Sequence, residues 1–130
     1  MHGVTDTSMT ASDDVTRERL FDAVSKVVDL LVAGDYGQLV RLAGADRYSD
    51  EDVGGLEDAV RQYGCTLVKL PDDAARYMTI YKVELPGPPR WAVDMPLWTA
   101  EEGRSDLEVQ VTLIERDGAI AIELDNIRVP

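Results

Sequence analysis

The chain has 130 residues, enough for one domain with little room for a second. Hydrophobic residues make up 45% and charged residues 29%, which excludes wholesale disorder and collagen-like repeats. Thirteen Lys and Arg stand against 25 Asp and Glu, a net charge of −12 that repels nucleic acid and anionic lipid.

Residues 1–12 are rich in Thr, Ser, Gly and Met without periodicity, so a disordered tail is expected, leaving 13–130 as the domain. A first helix should begin near Ser12 to Asp14, which suit its N-terminal cap and dipole. Leu20, Phe21, Val24, Val27, Val28 and Leu31 recur at helical spacing, and Gly34 ends the run. Asp35 restarts the chain, and Tyr36, Leu39, Val40 and Leu42 predict a short second helix ending at Gly44. Ser49 and Asp52 approximate a capping box for a third helix, with Val53, Leu56, Val60 and Tyr63 as its apolar stripe and Gly64 as its stop. Gly54 and Gly55 weaken it by roughly 1 kcal/mol each relative to alanine. They also suggest close approach of another backbone.

The period then changes to two. Thr66 to Leu70 predicts a short strand ended by Pro71. Tyr77 to Leu85 predicts another, closed by Pro86-Gly87-Pro88-Pro89. Trp91, Val93, Met95 and Leu97 alternate with Ala92, Asp94 and Pro96. Leu107, Val109, Val111 and Leu113 alternate with Glu108, Gln110 and Thr112, as half-buried strands do. Asp117-Gly118 is a tight hairpin signal. Ile120, Ile122 and Leu124 share one phase, Ile127 and Val129 the other, so a β-bulge is expected at Asp125-Asn126. Three helices followed by four or five strands in a meander give an α+β fold, with the long first helix packed along a curved antiparallel sheet.

Two stretches carry a resemblance. "LLVAGDYGQLVRLAG", Leu30 to Gly44, resembles the helix, Gly-Asp break and second helix that open many NTF2-like (SnoaL-like, cystatin-like superfamily) domains. "DLEVQVTLIERDGAIAIELDNIRVP", Asp106 to Pro130, is similar to their closing hairpin. With the helix order, the resemblance covers most of residues 14–130. It implies a cone-shaped sheet wrapped around a helix, often with a pocket at the wide end. Members include isomerases, dehydratases, cyclases, toxin-immunity proteins and non-catalytic accessory domains. The enzymes commonly use a pocket Asp–His pair or a paired Tyr and Asp. Separately, "PLWTAEEGRSDLEV", Pro96 to Val109, resembles the central motif of an uncharacterised family of small bacterial domains.

Chemistry is constrained by two single residues, Cys65 and His2. No intrachain disulfide, cysteine-based zinc site or multi-histidine metal site can form, and neither metal nor cofactor is expected. The Asp–His version of the family's chemistry does not carry over, since no histidine lies within the fold. Met1 to Asp14 lacks a basic n-region and an apolar h-region, so with one free thiol the expected compartment is the cytosol. No window approaches about 18 uninterrupted apolar residues, so no membrane partner is expected.

The stretch Thr99 to Asp106 has two readings. As a site, Glu101 and Glu102 present carboxylates to a cation while Arg104 grips an acidic group bidentately. As structure, Thr99 and Glu102 cap one helical turn, Gly103 stops it, and Arg104 pairs with Asp106 or Asp94. Asp94 points opposite the Trp91, Val93, Met95 and Leu97 face, and is the best general-base candidate if that side lines a pocket. Tyr77 and Tyr81 share one strand face and would supply hydroxyls. Trp91 and Trp98 fall on opposite faces, and an exposed Trp98 beside Glu101 and Glu102 would anchor an interface. Asp46, Asp50, Glu51, Asp52, Glu57 and Asp58 against Arg47 make a further acidic stretch. Cys65 follows a helix C-terminus and reads as an inert core residue.

The expectation is a non-catalytic cytosolic protein-binding domain. In its sharpest form it is immunity- or antitoxin-like and covers a basic partner through Trp98, Glu101, Glu102, Arg104 and Asp106. The alternative is a lyase, isomerase or ligand carrier with a cone pocket, using Asp94 with Tyr77 or Tyr81. A deep pocket holding Asp94 favours the second, and a filled cone favours the first. A homodimer through the sheet face fits either.

Overall fold

The structure is a computed structural model that describes residues 11–43 and 50–130. Residues 1–10 of the expected tail, the second helix's stop at Gly44 and the Ser49 cap lie outside the described residues, as do the side chains of the caps at Ser12 to Asp14, whereas Ala11 and Ser12 already belong to the first helix.

Helix α1 spans Ala11–Ala33. Gly34 takes a φ of 71° and donates to the Leu31 carbonyl, while the Asp35 N–H reaches back to Leu30. This is the paired-bond helix stop that needs a left-handed residue, and glycine adopts it without Cβ strain. Asp35 then caps α2 (Tyr36–Leu42) by accepting the Gln38 N–H at 3.1 Å. Helix α3 covers Asp50–Tyr63, and Gly64 follows it with a φ of 72°. Gly54 and Gly55 have nothing within 4 Å of where a Cβ would stand. The expected close backbone approach is therefore absent, and their cost to the helix is not offset there.

Strands β1 (Leu67–Val68), β2 (Thr79–Lys82), β3 (Arg90–Thr99), β4 (Gly103–Arg116) and β5 (Ala119–Arg128) follow. They form one curled antiparallel sheet with β3 at its centre, β1 and β2 along one edge of β3, then β4 and β5. The fold is thus α+β, three helices on a curved five-stranded sheet. The β4–β5 register skips Asp125, pairing Gln110 with Asn126 but Val111 with Leu124, which is the bulge the phase slip predicts.

Two expectations about strands change. The strand from Tyr77 to Leu85 shrinks to Thr79–Lys82, because Ala74–Tyr77 turns as a 3₁₀ helix. Arg17 of α1 donates to the Ala75 and Met78 carbonyls, at 2.7 and 3.4 Å, and Met78 is buried. A long-range anchor thus overrides the local two-residue pattern. The Thr66 to Leu70 strand likewise reduces to Leu67–Val68.

The concave face of the sheet is filled. Val93, Met95 and Leu97 of β3, with Val109 and Leu113 of β4, are 0% exposed, as are Leu20, Val24 and Val27 of α1. They form one cluster with Leu39, Leu124 and Ile127. Each such side chain contributes roughly 1.5–3 kcal/mol by leaving water. The middle of the opposite face is more polar. Its cross-strand rows run Asp94–Gln110–Asn126 and Pro96–Glu108–Arg128.

Candidate functional site

The residues singled out between Trp98 and Asp106 gather at one end of the sheet, where β3 turns into β4. The turn itself is Ala100 to Glu102, and Gly103 opens β4 with a φ of 75°. Thr99 accepts the Glu102 N–H at 3.0 Å, the first half of the expected cap. The second half is replaced. The Glu102 carboxylate accepts the Tyr63 hydroxyl at 2.8 Å, and Glu101 accepts the Thr66 N–H at 2.9 Å. Ala100 adds a backbone bond to the Thr66 carbonyl at 2.9 Å. The two carboxylates thus tie the hairpin tip to the segment after α3.

That use shows in their acidity. The bond from Thr66 holds Glu101 below the ordinary glutamate range. The bond to Glu102 pushes the Tyr63 hydroxyl upward, against a smaller lowering from the Asp106 N–H that it accepts at 3.2 Å. Partial burial, with Glu101 and Glu102 nearby, raises the Cys65 thiol. Cys65 is half-buried rather than enclosed in the core, and its environment disfavours the reactive thiolate.

Arg104, Ser105 and Asp106 belong to β4 rather than to a loop. The register jumps here: Pro96 faces Glu108, but Trp98 faces Arg104. Ser105 repairs the gap. Its hydroxyl donates to the Leu97 carbonyl at 2.8 Å and accepts the Leu107 N–H at 3.2 Å, and the side chain is buried. The irregularity leaves Trp98 and Arg104 opposite each other on the convex face. The Tyr77 ring packs edge-on to Trp98, with centroids 5.7 Å apart. The Arg104 guanidinium lies 4.2 Å from the Tyr77 ring centre. Trp98 is half-buried, not fully exposed. An open groove of about 560 Å³ adjoins the stack, lined by Tyr77, Arg104, Asp106, Glu108 and Val129 among others.

The alternative constellation is not brought together. Asp94 sits mid-strand on the convex face and accepts the Gln110 amide at 3.1 Å. Tyr81, 55% exposed, pairs with Ala92 on β2, whereas Tyr77 precedes that strand in the 3₁₀ helix. The two tyrosines therefore do not share a strand face. Trp91 lies on the other side of β3 from Trp98, with the Lys82 ammonium 4.9 Å from its ring.

Of the acidic stretch in residues 46–58, the described Glu57 and Asp58 side chains both pair with Arg61. Among the described residues no group of three or more His, Cys, Asp or Glu is placed to hold a metal ion. No helix among them is long and apolar enough to cross a membrane.

Sequence reasoning missed three members of this end. Tyr63 read only as part of an apolar stripe, Ser105 only as a turn residue, and Arg76 was passed over. A hydroxyl at the end of an apolar stripe was the signal for Tyr63. For Ser105 and Arg76 residue type gives no signal: Ser105 bonds within its own hairpin, to Leu97 and Leu107, and Arg76 lies over its neighbour Tyr77, through geometry set by the register break and the 3₁₀ turn.

A family model described as a domain of unknown function, DUF7668, matches residues 28–130. No curated protein and no solved structure matches the chain.

Proposed function

The chain belongs to the DUF7668 family, a domain of unknown function, so its role must be read from its own surfaces, and we propose that it is a non-catalytic, cytosolic protein-binding domain. In this reading its closest mechanical likeness is an immunity protein of NTF2-like shape that receives a basic partner. The filled concave face carries the proposal. Side chains from α1 and the sheet occupy the space where a cone pocket would lie, which leaves surfaces for function. The net charge of −12 would speed encounter with a basic partner.

The contact surface is the convex corner of Trp98, Arg104 and Asp106 with its adjoining groove. Glu101 and Glu102 stand behind it and hold its shape through Thr66 and Tyr63. The half-buried Trp98, stacked on Tyr77, is a rigid anchor of the kind that dominates interfaces.

Affinity purification of the tagged chain from its native host, followed by mass spectrometry, tests this. The reading expects a stoichiometric basic protein that is lost at high salt. Recovery of a clean homo-oligomer with a retained small molecule would overturn it and move attention to Asp94→Asn.

A further inference from the structure

We propose that the open edge of β5 at Ile120 and Ile122 pairs antiparallel with the same edge of a second copy of the chain, joining two sheets into one. The proposal goes beyond the reading above. This edge lies near Arg116, at the opposite end of β4 from Arg104 and the Trp98 corner.

The hydrogen-bond directions along β5 follow from its hairpin. Asp117 and Gly118 make a two-residue turn, so Arg116 and Ala119 exchange the ladder bonds nearest to it. Glu115 instead donates to the Pro89 carbonyl, on the β3 side of β4. Ile120, opposite Glu115, therefore turns its N–H and C=O away from β4, and Ile122, two residues on, does the same. Among the described residues no hydrogen bond reaches these four groups. An open groove of about 250 Å³ runs beside them, lined by Arg41, Leu42 and Ala43 of α2 together with Ala121.

The other edge of the sheet is guarded. There β1 is two residues long and β2 four, with Lys82 among the outward residues of β2 and Pro86 soon after it. Short length, lysine and proline all discourage a further strand. Ala119–Ile122 has neither lysine nor proline, and the β5 bulge comes only later, at Asp125. An apolar edge without these devices is a template for another strand.

Charge selects a second copy as that strand. With Ala121 on a two-fold axis, Ile120 pairs with the partner's Ile122 and the reverse, which makes four backbone bonds. On the concave side isoleucine then stands beside isoleucine, and Leu42, 37% exposed at the groove, gives the junction an apolar flank. On the convex side Ala119 faces the partner's Glu123. Arg116 is the neighbour of Ala119 on β4, so its side chain passes over the small alanine toward that carboxylate. The symmetry makes this pair twice. A carboxylate accepts from more than one donor, so the interactions Glu123 already makes do not block it. Two chains of net charge −12 repel each other at long range, so the association is weak and relies on this local complementarity.

Sedimentation velocity of the full chain over about a hundredfold range of concentration should show a reversible monomer–dimer equilibrium. Amide exchange at Ile120 and Ile122 should slow as the dimer forms, while Ile80 and Lys82 on the guarded edge stay unchanged. Arg116→Glu and Glu123→Arg should each weaken dimerisation about tenfold, and the two together should restore it. Ile120→Pro should abolish it, because it removes an outward donor and no bond to β4.

Circular dichroism checks the fold of each variant. If Ile120→Pro fails to fold, amide exchange and the charge swap carry the test alone. A monomer at every concentration overturns the proposal. So does a dimer whose Ile120 and Ile122 amides exchange as in the monomer, or a charge swap that does not restore pairing. A dimer without any captured basic protein leaves this inference standing and removes the protein-binding reading, whereas a strict monomer that captures such a protein does the opposite.

Discussion

The two long hairpins of the sheet solve the same problem by different means. The β4–β5 hairpin turns on Asp117 and Gly118, with φ of 53° and 80°. Positive φ at both central residues is the backbone twist that suits a two-residue hairpin, and the Asp-Gly pair supplies it unaided. The β3–β4 hairpin is held from outside. Its tip carries Thr99, Glu101 and Glu102, which bond to the turn, to Thr66 and to Tyr63. Its base is irregular and depends on Ser105. The turn of the self-sufficient hairpin carries none of the candidate surface. The dependent one presents Trp98, Arg104 and Asp106. A register break that Ser105 must repair within the hairpin is also what sets Trp98 against Arg104.

The largest expected effect lies at the dependent hairpin. Ser105→Ala leaves the Leu97 carbonyl and the Leu107 N–H without their buried partner. A loss of about 2 kcal/mol is expected in chemical denaturation. A negligible loss would mean that the register break needs no repair.

Gly118→Ala should cost about 1 kcal/mol, because alanine is strained at a φ of 80°. It should leave the Trp98 corner unchanged by fluorescence. Gly54→Ala and Gly55→Ala sharpen that contrast with the opposite sign. Both positions are helical with open space around them, so each should stabilise by up to about 1 kcal/mol. Destabilisation at either would reveal a packing demand on α3.

The smallest effect is electrostatic. Glu101 is held below its ordinary pKa by the folded state, so its clamp contributes above the ordinary glutamate range and is lost as pH falls through the lowered value. Glu101→Gln should flatten that acid-side loss. Hydrogen exchange at the Thr66 amide reads it directly. Tyr63→Phe should likewise speed exchange at the Asp106 amide, which donates to the Tyr63 hydroxyl. Equal exchange in wild type and variant would show that the clamp is not formed in solution.

The same contrast governs what could be read from the sequence. Features set by local rules were legible. The Gly34 stop, the Asp35 cap, the Asp117-Gly118 turn and the bulge at Asp125 each follow from a few neighbouring residues. The α+β class followed from the change in period at Gly64. The start of β2 was misread because Arg17 of α1 stabilises a 3₁₀ turn where the alternation continues. Of the candidate site, Trp98 and Arg104 were named without their stacking partner geometry. Glu101 was read only as a surface carboxylate, and Glu102 as that or as a capping partner of Thr99, although their partners lie 35 and 39 residues earlier. Spacing within a segment carries no information about such long-range pairs.

The most direct test of the account compares affinity-purified material from the native host for three forms of the chain. These are wild type, Trp98→Ala with Arg104→Ala, and Asp94→Asn, each checked for an unchanged fold by circular dichroism. The account predicts that the double variant loses the partner captured by wild type while Asp94→Asn retains it. Retention by the double variant together with loss in Asp94→Asn would contradict it, and would place function on the middle of the convex face instead of its Trp98 corner.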